Sequence, residues 1–183
     1  LKNLNACGDT GFLTTDHVDI ANKVRLLRNH GLADRNTVGQ FGYVSRMDTL
    51  QAAILTYRLS RLAQMIKRRR TNVDQYKSLL NLDQVFIPEE HEEEFNTYHT
   101  FVIQCEKRDA LQRYLMAHGI ETAIHYPIPI HLQPAASNFG YSKGDFPVTE
   151  AQSEQILTLP IHQYLEKNDI KYVCEFINKF FQK

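Results

Sequence analysis

Residues 47–80 read MDTLQAAILTYRLSRLAQMIKRRRTNVDQYKSLL. Met47, Leu50, Ile54, Leu62, Met65, Ile66, Val73, Tyr76 and Leu80 fall three or four positions apart in most steps, and no Gly or Pro interrupts them. The spacing predicts one long amphipathic helix, or two in near continuity. At a rise of 1.5 Å per residue such a helix is about 50 Å long. A helix of that length commonly follows a domain boundary or a subunit contact. It divides the chain into residues 1–46, a connecting helix at 47–80, and residues 81–183.

Upstream, Gly8-Asp9-Thr10-Gly11-Phe12-Leu13-Thr14-Thr15 begins with turn residues and continues as a β-prone run. Asp16 has the character of an N-cap, and Val18, Ile20, Ala21, Val24 and Leu27 continue at helical spacing to about 29. Gly31 would end that helix, and residues 31–46, with Gly39 and Gly42, read as a long loop. Downstream, Tyr98–Cys105 reads as a strand, Arg108–His118 as a helix ended by Gly119, and Glu121–His125 as a second strand. Pro127, Pro129, Pro134 and Pro147 leave little room for regular structure over 126–148. Two helices are expected near 148–157 and 167–181, the second with Ile170, Val173, Phe176, Ile177 and Phe180 on one face. Strands beside helices in this order make an α+β domain, with helices covering one face of a sheet.

Composition narrows the function. The chain has 183 residues, enough to bury roughly 70% of its unfolded surface. Lys plus Arg number 21 and Asp plus Glu 21, so bulk charge argues for neither nucleic acid nor an anionic membrane as partner. Cys7, Cys105 and Cys174 are far apart and form no Cys-x-x-Cys pair, so no metal site is indicated. They read as reduced thiols of a cytoplasmic protein. No apolar run reaches the length of a membrane span, and no signal peptide is visible. Lys67-Arg68-Arg69-Arg70 reads as a solvated helix face with one stem packed on the core, and Glu89–Glu94 as solvated charge. The first residue is Leu, which makes a processed chain or a piece of a longer protein the expectation.

Four stretches, in this order and spacing, carry a resemblance. They are Lys2-Asn3-Leu4 with Gly8-Asp9-Thr10-Gly11; Arg25-Leu26-Leu27-Arg28-Asn29-His30-Gly31; Gly42-Tyr43-Val44-Ser45-Arg46-Met47-Asp48 with Leu50-Gln51-Ala52-Ala53; and His125-Tyr126-Pro127-Ile128-Pro129-Ile130-His131 with Gly144-Asp145-Phe146-Pro147 and Leu159-Pro160. Together they resemble the DegT/DnrJ/EryC1/StrS family of sugar aminotransferases, which use pyridoxal 5′-phosphate (PLP). The resemblance implies a fold-type I, aspartate aminotransferase-like enzyme. Residues 1–46 would be the remnant of its large PLP-binding domain and 81–183 its small C-terminal α+β domain. It also implies a homodimer that moves an amino group from an amino acid, glutamate by expectation, to a nucleotide-linked keto-deoxysugar.

In that family the lysine of the Lys-Asn-Leu motif bonds to the cofactor aldehyde, and Lys2 occupies that position. A primary amine is required because its imine exchanges readily for a substrate amine, and the freed amine then carries a proton. Arg46 and Ser45 are implied as cofactor contacts, and His125, Tyr126 and His131 as contacts to the sugar. One departure stands out. The family has asparagine, a contact to the PLP phosphate of the partner subunit, where this chain has Val44, which cannot donate a hydrogen bond.

The carboxylate that pairs with the pyridine nitrogen comes from upstream of the lysine in the family. The 183-residue chain alone is therefore expected to be inactive, with Leu1–Phe12 poorly tied down or paired with another chain. Two other readings stand beside the transaminase. One is a related PLP or PMP sugar dehydratase, whose branch has histidine in place of the lysine. The other is a non-catalytic regulatory or dimerisation module, favoured by Val44.

Overall fold

The computed structural model describes residues 2–182; Leu1 and Lys183 lie outside the described residues. The chain forms two compact units, one ending at Leu62 and the other beginning at Ala63. The boundary falls inside the 47–80 run, which is two helices, α2 (Thr49–Leu59) and α3 (Leu62–Leu79). Between them the Ser60 hydroxyl donates to Tyr57 O at 2.8 Å, and Arg61 N reaches Arg58 O rather than a carbonyl four back. A serine competing for helix carbonyls is a local reason for the interruption.

The second unit has a small sheet at its centre. β1 (Phe101–Gln104) pairs antiparallel with β2 (Ile156–Leu159), Phe101 opposite Leu159 and Gln104 opposite Ile156. Single bridges add Phe86 beside Gln104 and Ala123 beside Thr158. Phe101 and Ile103 point into the core, alternating as a half-buried strand requires. Over them pack Val73 and Tyr76 of α3, Leu111 and Leu115 of α4 (Arg108–Ala117), and Ile170, Val173, Cys174 and Ile177 of α6 (Lys167–Phe181). The α6 set has the i, i+3, i+4, i+7 spacing of one helix face. A capping box closes the start of α6, with Glu166 and Asp169 each bonding the other's backbone.

Arginines tie the segments around the sheet. Arg69 donates to Tyr98 O at 2.9 Å, Ile161 O at 3.1 Å and His99 O at 3.4 Å. Arg70 grips both oxygens of Glu90 at 2.6 and 3.1 Å, and Glu90 also accepts from Asn96 N at 2.6 Å. The expectation of solvated charge is thus corrected at three positions. Arg69, Arg70 and Glu90 organise the turn into β1, because each offers donors or acceptors to backbone left over by a four-residue ladder.

Several boundaries also move. The strand at 98–105 shortens to 101–104, with Tyr98 at positive φ of 46° and its carbonyl given to Arg69. The strand at 121–125 is a single bridge at Ala123. The helix expected at 148–157 is α5 (Pro147–Gln155) and runs directly into β2, which spacing alone did not separate. Buried Arg108 holds Ser153 O and Ile156 O at that switch. The Pro-rich segment carries two 3-10 turns, Ile130–Leu132 and Pro134–Phe139.

In the first unit, α1 (Val18–Leu27) starts after His17, not Asp16, and has no side-chain cap. The β-prone run at 8–15 forms no strand. Neither α1 nor α2 contains a buried residue, and Phe12, Val18, Leu50 and Phe41 are at least 70% exposed. The N-terminal segment is nevertheless held by α2, where Gln51 Oε1 accepts from Cys7 N at 2.9 Å and Arg58 donates to Asn5 O at 2.5 Å.

The Arg70 guanidinium, followed by the Asn96 amide, holds Glu90 well below the usual carboxylate range, at about 2. An acid whose folded pKa is depressed adds stability above its unfolded value, about 4.3, and loses it as pH falls towards 2. The urea midpoint of the second unit is expected to drop across that window, and Glu90→Gln to flatten the drop. Equal slopes in the two proteins would exclude this source of acid sensitivity.

Candidate active-site segments

Ser45 and Arg46 are placed by a close backbone approach. The chain leaves α1 through His30 and Gly31, both at positive φ, and turns back so that residues 42–45 lie against the helix end. His30 N bonds Tyr43 O at 2.9 Å, Tyr43 N bonds Leu27 O at 2.7 Å, and Ser45 N bonds Arg28 O at 3.0 Å. Arg28 Nε returns to Ser45 O at 3.2 Å. A side chain would not fit here. A Cβ on Gly31 would stand 1.6 Å from Gln40 O, and one on Gly42 would stand 2.4 Å from Gly31 N. The Arg-Asn-His-Gly and Gly-Tyr-Val-Ser-Arg motifs are therefore two halves of one device.

That device lines a concavity of about 1130 Å³, together with residues 9–15, Ala21, Val24 and Arg25 of α1, and Arg28 just after it. Val44, Ser45 and Arg46 contribute to the wall and are exposed. Val44 brings an apolar side chain there. The Ser45 amide is spent on Arg28 O, and the Ser45 hydroxyl and the Arg46 guanidinium are the polar side-chain groups of this stretch. Among the described residues no acid pairs with Arg46, so a salt bridge to Asp48 does not occupy it. Arg25 and Arg28 went unremarked as individuals in the sequence. Their signal is the i, i+3 spacing at a helix C-terminus, where cations also complement the helix dipole.

Lys2 is exposed and does not line this concavity. A primary amine, the group that a cofactor aldehyde bonds, and a hydroxyl with a guanidinium, the donors that a phosphate accepts from, are both present among these residues. These donor types fit PLP.

The second unit holds the other residues. His125 is exposed, and its Nδ1 is hydrogen-bonded to Thr158 Oγ1 of β2 at 2.9 Å. Tyr126 is 72% exposed, its ring edge-on to His125. His131 is different. It is buried, and its Nε2 is hydrogen-bonded to Glu150 Oε1 at 2.9 Å. The amide of Gly144, and then His131, keep Glu150 below the usual carboxylate range. The sequence reading missed Glu150 and Thr158. An acid in the first turn of a helix that starts at Pro147 was the available signal. Among the described residues no His/Cys/Asp/Glu group is arranged to hold a metal ion, and no helix is long and apolar enough to cross a membrane. Cys105 and Cys174 are buried thiols, pushed up by burial to about 11 and about 12.

The model of the DegT/DnrJ/EryC1/StrS aminotransferase family matches residues 1–178. The chain belongs to this family. A pleiotropic regulatory protein of Geobacillus stearothermophilus is 36% identical over 184 residues, covering 99% of this chain and 50% of the relative. A dTDP-3-amino-3,4,6-trideoxy-alpha-D-glucose transaminase of Streptomyces venezuelae is 33% identical over 183 residues, covering 100% of this chain and 48% of the relative. The solved structure of S. venezuelae DesV in complex with a ketimine intermediate superposes with a TM-score of 0.87 at 32% identity, over 92% of this chain and 46% of that one. A family aminotransferase from Brucella abortus gives 0.85 at 32% identity, over 92% and 45%. The α+β architecture is that of solved members of the DegT/DnrJ/EryC1/StrS family. The chain spans about half the length of the curated relatives it matches.

Gly42→Ala tests the close approach. It is expected to cost about 1–3 kcal/mol in the first unit, as overpacking does. Amide exchange at His30 and Tyr43 should quicken, with the second unit unchanged. Unaltered protection would show that the approach is not tight.

Proposed function

We propose that this chain is the lysine-bearing part of a PLP-dependent aminotransferase acting on a nucleotide-linked keto-deoxysugar, with glutamate as the expected amino donor. The observation that carries the reading is the family match over residues 1–178, with Lys2 at the start of its motif. Relatives named as dTDP-amino-sugar transaminases support the substrate class.

When bound, PLP supplies an electron sink for a carbanion next to the amine nitrogen. Lys2 is assigned two roles, holding the cofactor by its amine and moving a proton to and from the carbon beside the substrate nitrogen. The Ser45 hydroxyl and the Arg46 guanidinium are assigned to the cofactor phosphate, where a planar cationic fork suits a dianion. Val44 withholds the amide donor usual there, so these two groups carry more of that contact. His125, oriented by Thr158, and exposed Tyr126 are assigned to sugar hydroxyls. His131 contributes through its hold on the Pro-rich segment, because its ring is buried against Glu150.

A homodimer belongs to the same reading. The exposed apolar residues of the first unit support a partner that covers them and completes the site. The division at 1–46, 47–80 and 81–183 is kept as the proposed domain plan of the parent enzyme. The 183-residue chain by itself is expected to aminate nothing.

Two measurements test this. Borohydride reduction of the full-length gene product with PLP is expected to leave a phosphopyridoxyl group on Lys2, found by peptide mass mapping. Lys2→Ala is expected to abolish the adduct and lower amination of a dTDP-keto-sugar by more than about 100-fold. Labelling at another lysine, or none, would sink the assignment. Light scattering is expected to give twice the monomer mass for the full-length protein, and a monomer that turns over would remove the partner's role.

A further inference from the structure

The Glu150 carboxylate is the most heavily used acceptor of the Pro-rich region. Its Oε1 lies 2.9 Å from His131 Nε2, 2.8 Å from Gly144 N and 3.4 Å from Phe146 N, and its Oε2 lies 3.0 Å from Gly144 N. These donors sit at the two ends of one excursion, His131 where it begins and Gly144 and Phe146 where it returns to α5. The ring of His131 also packs on that of Phe146 at 4.7 Å between centroids, and Tyr141 packs on Phe146 at 5.1 Å. Side-chain exposure is 5% for His131 and 12% for Glu150, so water competes little for the pair. Residues between the two ends stay open, with Phe139 73% and Tyr141 54% exposed.

A loop closed by one anionic acceptor behaves differently from a packed loop. A carboxylate hydrogen bond to an amide is stronger than a neutral one, and a single group that serves several donors orders them together. The segment 126–146 has four residues between Tyr126 and His131, among them Pro127 and Pro129, which stiffen the path from Tyr126 to the latch.

We propose that Glu150 is a positioning residue, latching His131 to the return of the Pro-rich segment so that Tyr126 and His125 are held ready for the sugar. This rests on the sugar-aminotransferase reading for its ligand, and on the hydrogen bonds alone for the latch.

The test separates the two. In the 183-residue chain, Glu150→Ala is expected to speed amide exchange at Gly144 and Phe146 at least tenfold while β1 and β2 stay protected. In the full-length gene product the same change is expected to raise KM for a dTDP-keto-sugar about tenfold with kcat within twofold. Glu150→Gln, which keeps one acceptor oxygen, should fall between Glu150→Ala and wild type in both measurements. It also replaces Glu150→Ala should that variant not fold. Unchanged exchange overturns the latch. Faster exchange with an unchanged KM, or a loss confined to kcat, overturns the positioning role. A wild-type protein that aminates no keto-sugar refutes the enzymatic reading, and the exchange data then decide the latch alone.

Discussion

Backbone carbonyls that a short sheet leaves unpaired set the terms for the second unit. β1 and β2 are four residues each, so the chain entering and leaving them cannot complete its hydrogen bonds within the ladder. A buried carbonyl without a donor costs free energy comparable to a lost hydrogen bond. Guanidinium groups meet the need because each carries five N–H donors in a fixed plane. Arg69 serves the chain before β1 and after β2, and Arg108 serves the α5-to-β2 switch. The apolar core then closes over a framework already held in register.

The same economy governs the regions near the proposed chemistry. In the first unit the backbone itself makes the turn that presents Ser45 and Arg46, with glycines at 31 and 42 allowing the approach. In the second unit one carboxylate, Glu150, draws together the ends of a segment that prolines keep from forming a helix or a ladder. Each device exposes a short stretch of polar side chains on a backbone with little freedom. Preorganisation of this kind is what binding and catalysis require of loops.

The two units differ in how far they bury themselves. The second has a continuous core from Val73 to Ile177. The first places helices α1 and α2 without burying a residue of either. Apolar side chains such as Phe41 and Leu50 there leave most of their surface uncovered by this chain alone. The family match over about half of each relative is in keeping with that contrast.

Long periodic elements were legible in the sequence. α1, α3, α4 and α6 fall where apolar spacing put them, because a helix face is a local property of the chain. The family, and Lys2 as its candidate lysine, were legible from the order of four motifs. Only the tertiary structure decided the rest. β2 follows α5 without a turn residue, so its strand character comes from pairing with Phe101–Gln104, more than fifty positions earlier. Arg69, Arg70 and Glu90 look like solvated charge in sequence and become clamps because distant carbonyls, amides and side chains meet them. His131 looks like a substrate ligand and is buried against Glu150, nineteen positions on. Local spacing determines which residues share a face. Long-range contacts determine which polar groups have partners, and that is what separates a structural residue from an available one.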